Sequence, residues 1–271
     1  MKSNFYYSFF FLPHQEKKAL FSFYSFCRQI DDEIDGVPSA ADSALTTAEK
    51  TARIQFWRSE LKQSFNGNPS HPLAKTLQPF LKQYHLTPLY FDEIINGMEM
   101  DIFHSSYSTF DDLKLYCYRV ASAVGLVCME LFNDRSVFAK ECAVNLGIAF
   151  QMTNILRDIF SDSNKGRIYL PKEDFEKFSY SENDLKNHLK TTAYVNLIQF
   201  EIDRTKSYYQ KAEMNLMDCD HVGRRVILVM MKTYYQLLLK IERNILRLDQ
   251  KTISLSTFNK LMIAGKVWLM N

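Results

Sequence analysis

Glycine and proline are scarce in this chain, and that scarcity limits the folds open to it. The 271 residues include 8 Gly and 7 Pro, which are residue types on which tight turns depend. A fold of many short strands joined by hairpins would need more of them. With 46% hydrophobic residues, the chain has enough apolar material for a large core. The sequence therefore predicts a folded globular protein built of long helices.

Apolar residues recur at steps of three and four along most of the chain, which is the spacing of one helix face. The first such run extends from Leu20 to Ile34 and ends near Gly36. Helices are predicted at 14–36, 72–84, 88–104, 109–132, 135–161, 181–188, 191–217, 220–249 and 254–269. A further helix is predicted to follow the loop Val37–Thr47, to pass through Trp57, Leu61 and Phe65, and to stop at Asn66. Because the sequence shows no interdomain linker, long repeat or low-complexity tract, we expect one all-α domain over residues 1–271.

The charge balance and the cysteine pattern argue against several classes of function. With 33 basic and 31 acidic residues and a net charge of +2, the chain has no basic run of the kind that binds nucleic acid. Its 5 Cys form no CxxC pair and its 6 His no HxxxH spacing, which argues against structural zinc and disulfides. No apolar stretch approaches the ~18 residues of a spanning helix. We expect a cytoplasmic protein in which any phosphate binding is local.

Two segments, Arg28–Asp35 and Gln151–Asp162, combine aspartates with a helical pattern. At about 100° per residue, each segment places a set of polar residues on one side of its helix. These stripes are Tyr24, Arg28, Asp31 and Asp35 in the first helix and Gln151, Asn154, Asp158 and Asp162 in the second. Like charges four residues apart destabilise an isolated helix by about 0.2–0.5 kcal/mol. Helix stability therefore gives no reason for either aspartate pair.

A bound cation would supply that reason. Carboxylates together with the Asn154 amide form an all-oxygen ligand set, which suits Mg²⁺ shared with substrate phosphates. Arg28, Arg157 and Arg167 offer planar pairs of donors for phosphate oxygens. The alternative is a solvated face paired with these arginines, an arrangement that contributes little stability. The presence of two matched segments, the second on an otherwise apolar helix, favours the metal site.

Three stretches of the chain resemble the squalene/phytoene synthase family. They are Phe23–Asp35, Tyr116–Gly125, and Leu146–Asp158 continuing through Gly166–Pro171. Within that family, a softer similarity points to bacterial presqualene diphosphate synthases of hopanoid pathways. It rests on Ser3–Tyr7, Gly97–Asp101, Ile241–Arg243 and Leu248–Asp249. The resemblance covers nearly the whole chain.

The resemblance implies an isoprenoid synthase fold, that is, a class I terpenoid synthase helical bundle with a central cavity. It implies a prenyltransferase that uses Mg²⁺ and joins two molecules of farnesyl diphosphate head to head into presqualene diphosphate. The proton acceptor would be a tyrosine or the released diphosphate. Peripheral membrane contact and downstream squalene-forming enzymes are compatible with this function.

The resemblance also implies roles for individual residues. The metal ligands would be Asp31, Asp35, Asn154, Asp158 and Asp162. The catalytic residues would be Tyr24, Arg28, Tyr116, Arg157, Arg167 and Tyr234. The substrate would contact Ser3, Asn4, Phe5, Tyr24, Arg28, Gln151, Arg157 and Tyr234. Phe160-Ser161 stands where many relatives carry Gly-Glu, and Ser163-Asn164-Lys165 where relatives often carry Ala-Arg-Arg, so an acidic group and an arginine are lost without affecting a metal ligand.

Several alternatives share part of the pattern. Asp31-Asp32-x-x-Asp35 also fits the DDxxD motif of head-to-tail prenyltransferases and terpene cyclases, but the second segment lacks the second motif of either class. Phytoene, dehydrosqualene and squalene synthases share every motif quoted and stay open as alternatives. A non-catalytic helical scaffold of the same fold is disfavoured, because all four outer aspartates of the two segments are retained.

Overall fold

The computed structural model describes residues 12–35, 45–216, 218–219 and 221–270, and in these ranges the chain is helical. The α-helices are α1 (His14–Asp35), α2 (Thr47–Phe65), α3 (Pro72–Gln83), α4 (Pro88–Phe103), α5 (Phe110–Cys117), α6 (Ala123–Leu131), α7 (Val137–Asn164), α8 (Lys172–Lys177), α9 (Glu182–Lys186), α10 (Thr192–Leu216), α11 (His221–Glu242) and α12 (Thr257–Met270). Instead of a sheet, the described ranges contain one isolated parallel bridge, between Ser106 and Ile168. The predicted all-α class is confirmed.

Helix ends lie where the sequence has its start and stop residues. At α2, the Thr46 hydroxyl accepts the backbone N–H of Glu49, and the Glu49 carboxylate accepts the backbone N–H of Thr46, so two unpaired donors are satisfied reciprocally. Pro72 and Pro88 begin α3 and α4, where the missing N–H of proline costs nothing. After α2, Gly67 takes a positive φ of 87°, which glycine adopts without strain.

The structure departs from the predicted helices at two places. The helix expected at 220–249 ends at Glu242 and is followed by a separate 3-10 turn, Ile245–Arg247. The structure also contains α8, which the sequence pattern did not predict.

Helix α7 lies at the centre of the bundle and packs against α6, α10 and α11. Its buried residues lie on most sides of the helix, from Ala139 to Ser163, which is typical of a helix surrounded by others. The main hydrophobic core runs through the chain from Leu12 to Ile253. This arrangement brings the second aspartate segment, on α7, into the interior of the bundle.

A π-helical turn, Tyr118–Ser122, joins α5 to α6, so the helix predicted at 109–132 is continuous but carries a bulge. Glycines on both sides let neighbouring helices approach it. A Cβ added to Gly147 of α7 would collide with the backbone N and Cα of Ser122. A Cβ added to Gly97 of α4 would lie 2.8 Å from Cγ1 of Val120. The turn is therefore held between α4 and α7 at two positions where only glycine fits.

Arg204 of α10 joins two carboxylates in the interior. Its guanidinium donates to Asp174 at 2.7 and 3.1 Å and to Glu201 at 3.0 and 3.1 Å, and its Cζ lies 4.1 Å from the ring centre of Phe110. Burial, with the nearby Asp174 carboxylate adding to it and Arg204 opposing it, raises the pKa of Glu201 to about 8. Because burial outweighs the opposing charge of Arg204, Glu201 holds a proton at neutral pH.

We expect Glu201→Gln to flatten the pH dependence of stability. Between its ordinary pKa and about 8, native Glu201 keeps a proton that the unfolded chain has released, so wild-type stability falls as pH rises through that window. The amide resembles the protonated acid and does not titrate. From about pH 5 to about pH 9, the melting temperature of Glu201→Gln should rise relative to that of the wild type.

Glu176→Gln, on an exposed position of α8, is the matched control and should keep the wild-type pH dependence. A Glu201→Gln variant whose melting temperature follows the wild type across this range would show that Glu201 does not carry the buried proton.

Among the described residues, no helix is both long enough and apolar enough to cross a bilayer.

Candidate active site

A cavity of about 430 Å³ opens between α1, α4, α6, α7 and α11. Its walls are mainly apolar, with Phe23, Met98, Val124, Phe150 and Met230 among them. Its polar lining residues include Tyr24, Arg28, Asp31, Asp101, Tyr116, Gln151 and Asn154. The site therefore combines a chamber for an apolar chain with charged and amide groups supplied by both aspartate segments.

The structure brings most of the predicted site residues together. Tyr24, Arg28, Asp31, Tyr116, Gln151 and Asn154 line the cavity directly. Arg157 and Asp158 follow on the next turn of α7, and the ring of Tyr234 on α11 lies 4.5 Å from that of Phe150 in the cavity wall. Asp162 and Arg167 lie close enough to interact electrostatically. The two aspartate helices thus meet at one cavity.

Four of the predicted residues cannot be placed. Ser3, Asn4 and Phe5 lie outside the described residues. Asp35 is the last residue of α1, but its side chain is also outside the described part of the structure.

Arg28 on α1 is paired with carboxylates of its own helix. Its Nε donates to Asp32 at 3.0 Å and its NH1 to Asp31 at 3.2 Å. The Arg28 side chain is 55% exposed, so these contacts alone contribute little to stability. The arginine is free to exchange a helix carboxylate for a phosphate at small cost.

Arg157 on α7 is more firmly held. It binds the adjacent Asp158 through two hydrogen bonds, one from Nε to Oδ1 at 2.9 Å and one from NH2 to Oδ2. Burial lowers the pKa of Arg157, but the hydrogen bond and charge of Asp158 outweigh burial and leave that pKa raised. A guanidinium with a fixed plane lies beside the cavity, which suits two-point binding of phosphate oxygens.

The residues of the second segment fit a hard cation. The buried Oδ1 of Asn154 has no hydrogen-bond partner among the described residues. Burial, and next the charge of Asp158, raise the pKa of Asp162 to about 6. An unpartnered amide oxygen beside two carboxylates that repel each other is an oxygen donor set of the kind Mg²⁺ prefers. Within the described ranges, no group of three or more Asp, Glu, His or Cys side chains is arranged to hold a metal ion by itself. Mg²⁺ commonly takes phosphate oxygens and water as further ligands.

A cluster of tyrosines around Asp101 was not evident from the sequence. The hydroxyls of Tyr116 and Tyr169 donate to the two carboxylate oxygens of Asp101 at 3.1 and 3.0 Å, and the Tyr107 ring packs against both tyrosines. Burial, reinforced by the charge of Asp101, raises the pKa of Tyr116 and of Tyr169. Both phenols therefore stay protonated at neutral pH and act as hydrogen-bond donors.

Comparison with known proteins identifies the family to which the chain belongs. The squalene/phytoene synthase family model matches residues 1–259. The chain belongs to the squalene/phytoene synthase family. The fold agrees, because the HpnC squalene synthase of Alicyclobacillus acidocaldarius superposes with a TM-score of 0.80 at 25% identity, covering 89% of this chain and 88% of that one. A dehydrosqualene synthase solved with a ligand superposes with a TM-score of 0.81 at 25% identity, covering 98% and 91%.

Curated relatives of this squalene/phytoene synthase family member include phytoene synthases of bacterial and chloroplast origin. The 15-cis-phytoene synthase of Synechocystis sp. is 34% identical over 270 residues, covering 95% of this chain and 78% of that protein. The enzyme of the same name from Synechococcus elongatus is 33% identical over 262 residues, covering 92% and 83%. The expected family and isoprenoid synthase fold are confirmed, and the family is one of prenyltransferase-type enzymes.

Arg157→Lys should lower kcat/KM about a hundredfold, although the charge is conserved. A lysine ammonium is a point charge on a flexible stem and cannot reproduce the planar, two-donor contact of the guanidinium. Steady-state kinetics would show the loss. Arg247→Lys, at an exposed position outside the cavity, is the control and should keep wild-type kinetics. If Arg157→Lys also had wild-type kinetics, the contact between Arg157 and Asp158 would be structural only.

Proposed function

We propose that the protein catalyses the Mg²⁺-dependent head-to-head condensation of two molecules of farnesyl diphosphate to presqualene diphosphate, with release of diphosphate. The observation that carries the proposal is the cavity itself, an apolar chamber to which α1 and α7 both contribute carboxylate or amide oxygens together with arginines. An allylic diphosphate needs both environments at once, with its charged group held at one end and its chain kept dry at the other.

The charged groups account for binding of the diphosphate. Arg28, Arg157 and Arg167 would hold its oxygens. The Mg²⁺ ligands would be Asp31, Asp35, Asn154, Asp158 and Asp162. When bound, Mg²⁺ supplies positive charge that stabilises the negative charge growing on the leaving group.

The apolar wall accounts for the fate of the carbon chain. The C1–O bond of one farnesyl diphosphate breaks with its electron pair leaving on the diphosphate, which gives an allylic cation. The double bond of the second molecule attacks C1, and loss of a proton closes the cyclopropane. Phe23 and Phe150 line the cavity, where their rings exclude water and their faces stabilise positive charge.

The state of the tyrosines bears on the proton acceptor. A phenol whose pKa is raised by burial keeps its proton and offers no phenolate to accept another, and this holds for both Tyr116 and Tyr169. Among the expected acceptors, Tyr116 is therefore disfavoured, and we infer that the released diphosphate takes the proton. Tyr116 and Tyr169 instead keep the Asp101 carboxylate oriented at the cavity wall.

The length of the substrate separates this proposal from a second candidate. The softer similarity at Ser3–Tyr7 and Gly97–Asp101 supports farnesyl diphosphate. Two similar structures are named squalene synthase and dehydrosqualene synthase, and both names refer to products built from two farnesyl units. Against this, the curated relatives that the chain matches at up to 34% identity are phytoene synthases. Phytoene synthesis, the corresponding condensation of geranylgeranyl diphosphate, is the second candidate.

A product assay decides between them. The purified chain is incubated with Mg²⁺ and either farnesyl or geranylgeranyl diphosphate, with and without NADPH, and dephosphorylated products are identified by mass spectrometry. We expect presqualene alcohol from farnesyl diphosphate whether or not NADPH is present, which leaves squalene formation to downstream enzymes. Phytoene from geranylgeranyl diphosphate would support the second candidate. Squalene formed only with NADPH, dehydrosqualene formed without it, or no turnover of either substrate would overturn the proposal.

A further inference from the structure

The last turn of α1, which belongs to the first aspartate segment, is unfavourable as an isolated structure. The acidic residues at this end of the helix are Asp31, Asp32, Glu33 and Asp35. Carboxylates there face the negative end of the helix dipole, and the last four carbonyl groups of a helix have no partner within it. Neither the last turn of α1 nor the stretch 36–44 contains a Lys or Arg. A cation for this end of α1 must therefore come from another element.

Two side chains of α2 bind this turn, both through Glu33. NH1 of Arg53 donates to the backbone carbonyl of Glu33 at 2.7 Å, and Nε1 of Trp57 donates to Oε2 of its carboxylate at 2.7 Å. The other carboxylate oxygen, Oε1, accepts from Gln29 of α1 at 2.7 Å. Arg53 thus pairs with a carbonyl of the last turn and places a positive charge at the C-terminus of the helix, where such a charge is stabilising.

The two donors are themselves held in place. Trp57 is fully buried, and its ring packs edge to face against Phe26 of α1 with ring centres 5.4 Å apart. Arg53 and Trp57 are four residues apart, so they lie on the same side of α2. Because they bind two different groups of one residue, they restrict both the rotation and the fraying of the last turn of α1.

Glu33 lies on the side of α1 opposite to the aspartates. At about 100° per residue, it is about 200° from Asp31 and from Asp35 around the helix. Asp31 lines the cavity, whereas Glu33 is bound to α2. Contacts with α2 on one side of the turn therefore fix the direction in which Asp31 faces the cavity on the other side.

We propose that Arg53 and Trp57 are positioning residues for the first aspartate segment. They hold the last turn of α1 in the orientation in which its aspartates bind Mg²⁺ together with the substrate diphosphate. This inference rests on the proposed function, because it takes these aspartates as metal ligands. Its tests measure the opening of one helix turn and the binding of inorganic diphosphate, and neither measurement requires turnover.

The first test is amide hydrogen exchange in the full-length chain without metal, read by mass spectrometry of peptides that cover the end of α1. Trp57→Phe keeps an aromatic ring and removes the N–H donor, and Arg53→Gln removes the positive charge. We expect the amides of residues 31–35 to exchange about tenfold faster in each variant, because local opening of the turn becomes easier. Peptides from α7 should keep wild-type protection.

The second test is isothermal titration calorimetry with inorganic diphosphate at several Mg²⁺ concentrations, well below the melting temperature. Residues that orient metal ligands typically affect metal affinity by about 10–100-fold, so we expect about tenfold weaker Mg²⁺-dependent binding in Trp57→Phe and Arg53→Gln. Excess Mg²⁺ should restore binding, because the ligands themselves are unchanged. Arg53→Lys keeps a charged donor and should recover part of the loss in both tests.

Two control variants lose the same kinds of hydrogen bond elsewhere in the bundle. Arg135→Gln removes a guanidinium that donates to the carbonyls of Tyr84 and His85. Tyr194→Phe keeps a buried ring and removes the hydroxyl that donates to the carbonyl of Ile245. Both controls should lower the melting temperature without changing exchange at the end of α1 or the binding of diphosphate.

Three results would overturn the proposal. Exchange at the end of α1 could stay at the wild-type rate in both variants. Exchange could become faster while diphosphate binding stays unchanged, which would make Arg53 and Trp57 structural residues only. The controls could weaken binding as much as the variants, which would show that binding follows overall stability. Each of these results leaves the proposed function intact if the wild type turns over farnesyl diphosphate, whereas a wild type that binds no diphosphate with Mg²⁺ would overturn both proposals.

Discussion

Asp158→Asn should lower turnover by about a hundredfold or more while changing the melting temperature little. The amide is nearly the same shape as the carboxylate but lacks the charge that a Mg²⁺ ligand supplies. Folding should tolerate the change, because the amide also relieves the repulsion between Asp158 and Asp162, which adds to burial in raising the pKa of Asp162. Steady-state rates measured against Mg²⁺ concentration, together with thermal melts, would show the effect.

Asp31→Asn is the matching change on α1 and should behave in the same way, because Asp31 lines the same cavity. Asp203→Asn is the control, since that carboxylate is 61% exposed on α10 and should leave both rate and Mg²⁺ requirement unchanged. If Asp158→Asn turned over substrate at the wild-type rate and Mg²⁺ concentration, Asp158 would be only the partner of Arg157.

Gly147→Ala should lower the melting temperature by about 5 °C or more. The added methyl group would collide with backbone atoms of Ser122, and backbone cannot turn aside as a flexible side chain can. To relieve the collision, α7 and the π-helical turn must separate, and both contribute to the cavity wall. We therefore expect a loss of activity beyond the loss of stability, measured by thermal melts and by kinetics well below the melting temperature.

The same substitution at Gly265 is the control. A Cβ at this position of α12 meets nothing within 4 Å, and alanine favours a helix over glycine by up to ~1 kcal/mol, so Gly265→Ala should be neutral or slightly stabilising. Equal melting temperatures for Gly147→Ala and the wild type would mean that α7 and the π-helical turn can separate at no cost.

The parts of the site that could be predicted from the sequence are those encoded by local spacing. Asp31 and Arg28 share one side of α1, and Asn154 and Asp158 share one side of α7, because steps of three and four residues align on a helix. The meeting of these two helix sides at one site was also predicted, because neither aspartate pair stabilises its own helix. Most helix bounds followed from periodicity in the same way.

The parts that could not be predicted depend on contacts between distant residues. Asp101 meets Tyr116 and Tyr169 from 15 and 68 positions away, and Arg204 meets Asp174 from 30 positions away. No local pattern marks such partners, since the neighbouring sequence does not indicate which distant residue an aspartate, tyrosine or arginine will contact. The raised pKa values of this site likewise arise from burial, which only the packed structure reveals.

The π-helical turn has a consequence for how this cavity could have arisen. Its hydrogen bond from the Ala123 N–H to the Tyr118 carbonyl closes over five residues instead of four, so the turn accommodates one residue more than an α-helix would. Removing that residue would rotate everything after it by about 100° relative to α5. Val124, Gly125 and Cys128, which now line the cavity, would face elsewhere, so a single inserted codon is enough to decide which side of α6 the substrate meets.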